Sequence, residues 1–92
     1  MTLSGSDDHR ALFEYFSSEY AQALQAFEAI ESQAPTLALM GHTSELRQFL
    51  EQFIAMAART RGEAVEKEET NFADWFGELI QKAQKLLAGV PQ

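Results

Sequence analysis

At 92 residues, with 46% hydrophobic and 23% charged side chains, the chain has the composition of one small globular domain spanning residues 1–92. Fourteen acidic against seven basic residues give a net charge of −7, which argues against nucleic acid as a partner, because duplex binding depends on Lys and Arg neutralising phosphates. The absence of cysteine excludes disulfides, thiolate metal sites and cysteine nucleophiles, and fits a reducing, cytoplasmic compartment; no apolar run is long enough for an integral membrane segment, and no secretion signal opens the chain.

Residues 1–6 read as a flexible leader, with Ser6 as the N-cap of a first helix over about 7–33. Leu12, Phe16, Tyr20, Ala23, Phe27, Ile30 and Ala34 follow steps of four and three that trace one helix face. Phe13, Tyr15 and Leu24 widen that face to an arc of about 180°. Pro35 lacks an N–H and clashes with the preceding turn, so it is expected to stop or bend the helix, and residues 34–42 then form the first connection.

Thr43 is the expected N-cap of a second helix over about 43–68. Leu46, Phe49, Leu50, Phe53, Ile54, Met56, Ala57, Ala64 and Val65 define its apolar side, an arc of about 200°. Gly62 weakens this helix by about 1 kcal/mol relative to Ala, but charge pairs at i,i+4 across it favour one continuous element. The third helix, over about 72–88, has Asn71 as its expected cap. Phe72, Trp75, Phe76, Leu79, Ile80, Ala83, Leu86, Leu87 and Val90 lie on an arc of about 140°. Trp75-Phe76-Gly77 has the Trp-x-Gly pattern that marks the turn of certain small secreted helical hairpins, but here it falls inside a helical segment.

The residues offer little chemistry. No Glu stands three residues before His9 or His42, as a carboxylate-bridged metal bundle would require, so no metal or other cofactor is expected. Glu28 and Glu31, and Glu63, Glu66 and Glu69, have helical spacing but lie off the apolar arcs, where a solvated face is expected. The serines sit mid-helix or at helix ends, and no nucleophile elbow or phosphate-binding glycine loop occurs. The chain therefore reads as no enzyme.

The expected fold is all-α: an up-down-up bundle of two long helices, each about 40 Å, and a third about 14 Å shorter. Such a third helix cannot cover the other two, and a homodimer would complete the structure, with Phe13, Leu24, Ile54 and Val65 at the interface. Phe16, Tyr20, Phe53, Phe72, Trp75 and Phe76 are the candidate core or pocket residues, with Trp75 expected to be buried. The function implied is a protein–protein interaction module: a dimeric adaptor, a regulatory subunit, or a chaperone- or immunity-like binder of an unidentified protein. The alternative is a bundle binding a small apolar ligand or lipid between the aromatic ends of helices one and three.

Overall fold

In a computed structural model the chain forms three α-helices: α1, Leu3–Leu39; α2, Thr43–Glu66; and α3, Thr70–Ala88. The structure describes the backbone of residues 3–90 and the side chains of residues 9–90, and contains no strand among them. The buried residues are Phe16, Ala23, Phe27 and Ala34 in α1, Leu46, Leu50, Phe53, Ala57, Thr60 and Ala64 in α2, Phe72, Ala73, Phe76, Leu79 and Ala83 in α3, and Val90 just beyond it. Leu12, Tyr20, Ile30 and Leu37 pack partly buried between those of α1. On α1 and α2 the contact positions therefore advance by alternating fours and threes, the 3.5-residue period by which helices keep one seam towards a neighbour. Alanines at positions 23, 57, 64 and 83 are fully covered and let the helices approach closely, while Phe16, Phe76, Leu46, Leu50 and Leu79 fill the space between. Each of those large side chains contributes about 2–3 kcal/mol by leaving water.

Thr60 is the one polar member of this core among the described residues. Its hydroxyl donates to the Met56 carbonyl at 3.3 Å, one turn back, so the buried oxygen is satisfied.

The helices are aligned by pairs of contacts. Tyr15 and Phe27 of α1 meet Glu63 and Phe53 of α2, while Phe13 and Tyr20 meet Phe72 and Phe76 of α3. Between α2 and α3, Arg61 donates from Nε to the Ala73 carbonyl at 3.2 Å. Its side chain lies over Gly77, where an added Cβ would come within 3.3 Å of Arg61 Nε. Gly77 is thus a point of close approach inside a helix, and Trp75-Phe76-Gly77 marks no turn.

The two connections are built alike. After α1, the Gly41 N–H bonds the Ala38 carbonyl and the His42 N–H bonds the Leu37 carbonyl; after α2, the Glu68 N–H bonds Val65 and the Glu69 N–H bonds Ala64. Both are Schellman closures, which require a left-handed residue, supplied by Gly41 at φ 81° and by Glu68 at φ 61°. The next residue is already the cap of the following helix: the His42 carbonyl accepts from Leu46 and the Glu69 carbonyl from Ala73. These backbone caps displace the expected ones. Thr43 is the first residue of α2 rather than its cap, and Asn71 lies one residue inside α3.

Both ends of α1 differ from the sequence expectation, and α2 ends and α3 begins two residues early. Pro35 does not stop α1, which continues to Leu39. Ala34 is buried and Leu37 packs on the core, so the apolar seam carries the helix through; the carbonyl of Glu31 loses its intrahelical donor on an exposed face. Helical backbone begins at Leu3, so Ser6 lies within α1 and not at its start, and Met1 and Thr2 of the expected leader lie outside the described residues. The helices are also graded rather than two long and one short, at 37, 24 and 19 residues. As expected, α2 runs unbroken through Gly62. No helix among the described residues is long and apolar enough to cross a membrane.

Candidate functional site

Apart from the tip of the rod at Leu39 and Met40, exposed apolar side chains gather on two grooves. The first lies where the first half of α1 meets the start of α3. Phe72 is buried between Phe13 and Trp75, with ring centroids at 5.5 and 5.2 Å and both pairs close to edge-on, the favoured aromatic geometry. Tyr20 lies 5.7 Å from Trp75 and 5.5 Å from Phe76. Phe16, Phe72 and Phe76 fill the interior, whereas Phe13 and Trp75 remain 53% and 45% exposed. Trp75 is therefore not the core residue its sequence position suggested: at the edge of the α3 arc it rests one face on Tyr20 and Phe72 and leaves the rest to solvent. With His9, Glu68, Glu69, Thr70 and Asn71, the rings of Phe13, Phe72 and Trp75 line a groove of about 320 Å³.

The second surface runs between α1 and α2. Ala26, Ala29 and Ile30 of α1 face Phe49, Phe53 and Met56 of α2 across a shallow groove of about 450 Å³, completed by Gln33 and Gln52. None of its lining residues is charged, although the chain carries fourteen acidic and seven basic residues. The groove between α1 and α3, by contrast, is lined by Glu28, Glu31, Lys82 and Lys85 around Leu24, Phe27, Leu79 and Leu86.

The four residues expected at an interface do not share a face. Phe13 touches Phe72, and Leu24 lines the groove with α3, so both stand on the α3 side of α1. On α2, at 100° per residue, Ile54 and Val65 fall about 140–180° round from Phe49 and Met56, which line the α1 groove. Leu24 and Ile54 are partly buried against the core, while Val65 is 54% exposed. Phe49 and Met56, which the sequence placed within the apolar side of α2, are 44% and 37% exposed where they line the α1 groove.

Two carboxylates depart from the solvated face expected of them. The Glu63 carboxylate accepts the Tyr15 hydroxyl at 2.8 Å. That bond holds the phenol in its neutral form and raises its pKa above the ordinary tyrosine value, with burial and the negative charges of Glu63 and Glu19 acting in the same direction. Glu69, whose side chain is only 11% exposed, lies 3.5 Å from Nδ1 of His9 and so ties α1 to the α2–α3 turn. His42 sits 3.6 Å from Glu45 at the opposite end. Among the described residues no group of three or more His, Cys, Asp or Glu side chains is placed to hold a metal ion. No protein-family profile, curated protein or solved structure matches the chain.

Proposed function

We propose that the protein is a non-enzymatic, cytoplasmic helix-association module, an up-down-up bundle that works as a homodimer and in that form serves as an adaptor or regulatory binder. Two copies meet through the groove between α1 and α2, with the third helices outside. The observation that carries this reading is the uncharged, apolar lining of that groove in a chain of net charge −7. The net charge opposes association of two copies, and contact through this groove adds no desolvated, unpaired charge to that cost. The proposed two-fold dimer sets Phe49 and Met56 on α2 of each copy against the smaller Ala26 and Ala29 on α1 of the other.

Analytical ultracentrifugation of the wild type and of Met56→Glu and Phe49→Glu tests this directly. The wild type sediments as a dimer at micromolar concentration, and each substitution yields a folded monomer. A monomeric wild type overturns the reading. An apolar small molecule that co-purifies, detected by native mass spectrometry on a monomer, replaces it with that of a ligand-binding bundle.

A further inference from the structure

We infer that the aromatic groove between the first half of α1 and the start of α3 receives a cationic side chain, an arginine or lysine presented by a basic segment of a protein partner. The groove joins the two features that cation recognition uses. One is π surface: Trp75 and Phe13 stand on either side of buried Phe72 and are about half exposed. Indole is the strongest of the aromatic acceptors for an ammonium or guanidinium group. The other is negative charge: Glu68 and Glu69 line the same groove, and Glu69 is largely covered, with His9 beside it. A carboxylate sheltered in this way acts through a lower effective dielectric than a solvated one, so it attracts a cation more strongly.

The volume of about 320 Å³ stands at the small end for ligand pockets and fits one side chain rather than a docked helix. The net charge of −7 adds long-range attraction for a basic partner and repels an acidic one. The turn contributes as well. Its twin after α1 uses Gly41 for the left-handed position, whereas here Glu68 occupies it and places a carboxylate at the groove. Because the groove lies on the α3 side of α1, it stays open whether or not the α1–α2 faces are joined, and the inference is independent of the dimer.

Trp75 is the chain's single tryptophan, so its fluorescence reports on the groove directly. The probes are an arginine-rich peptide, its lysine counterpart, and the same peptide with citrulline at every arginine. Both cationic peptides change the Trp75 emission saturably and with strong salt dependence, and the citrulline peptide does not. Phe13→Leu and Glu68→Gln each weaken the arginine peptide about fivefold. Glu28→Gln removes the same charge from the distant α1–α3 groove and changes binding by less than about twofold. Circular dichroism confirms that each variant is folded, and Glu68→Gln, which leaves the core untouched, decides the matter should Phe13→Leu unfold. Equal binding of the citrulline peptide overturns the inference in favour of an apolar ligand. Equal weakening by Glu28→Gln overturns it in favour of diffuse attraction, and no saturable change overturns it outright.

Discussion

Neighbouring residues of α3 make the clearest contrast at the scale of single side chains. Phe76 is fully buried against Tyr20, whereas Trp75, one position earlier, is only half covered. Phe76→Ala leaves a cavity in a packed seam and should destabilise by about 3–5 kcal/mol; Trp75→Ala removes one partly wet face and should cost about 1 kcal/mol. Urea denaturation of the two variants measures both, and a larger loss for Trp75→Ala would contradict the packing described. Glu68 poses a different question, because an L-residue in the left-handed region is held there at a penalty of about 1–2 kcal/mol. Glu68→Gly relieves it at the expense of added freedom in the unfolded chain, so the net gain is about 0.5–1 kcal/mol, read as a rise in the thermal midpoint. The same variant loses a carboxylate from the aromatic groove. Higher stability with weaker binding of the arginine peptide is the expected combination, and it ties the strained turn to recognition rather than to folding.

At the scale of elements, the three helices and their core seams are legible in the sequence because spacing alone specifies which positions meet. Every buried position of α1 lies on the 4-4-3 series read from its apolar residues, and that series was long enough to override Pro35, which local rules alone take as a stop. Pro35→Ala restores one intrahelical hydrogen bond without touching a buried contact, since Pro35 is exposed. It should stabilise the protein by about 1–3 kcal/mol, measurable by chemical denaturation. Thr60 escaped notice because its type is polar, although it sits on the same step as Phe53 and Ala57; only its bond to the Met56 carbonyl makes it a core residue. Helix rotation was the least legible feature. Phe13, Leu24, Ile54 and Val65 are apolar and off-centre, but which edge of a helix faces its neighbours depends on how all three helices are rotated. That rotation is a property of the assembled bundle, and it places Phe49 and Met56, not Ile54 and Val65, beside α1.

At the scale of the whole molecule, the Cα atoms fill a rod of 59 × 17 × 15 Å with a radius of gyration of 15.9 Å. This shape distinguishes ways of pairing. Association through the α1–α2 groove sets two rods side by side, so the maximum dimension stays near that of one copy while the cross-section doubles. End-to-end association through the apolar tip, where Leu39 and Met40 are exposed, would nearly double the length instead. Small-angle X-ray scattering on the wild type should show the thicker rod, and a doubled maximum dimension would place the contact at the tip.

The two short, matching turns also impose an order in time. Each joins two packed helices with almost no intervening chain, so closing either pair sacrifices little loop entropy and both can zip from the turn outward. The α1–α3 contacts have no such shortcut. Phe13 finds Phe72, and Tyr20 finds Trp75 and Phe76, only by closing a loop that contains the whole of α2. The aromatic end should therefore be the last region to consolidate during folding and the first to loosen during unfolding. Substitutions at Phe72 should chiefly accelerate unfolding, while substitutions at Leu50 or Ala57, within the shared second helix, should chiefly slow folding. Stopped-flow kinetics on these variants would resolve the difference. A late-forming aromatic end gives the basic-partner groove a native-state opening rate of its own, separate from the global unfolding of the bundle.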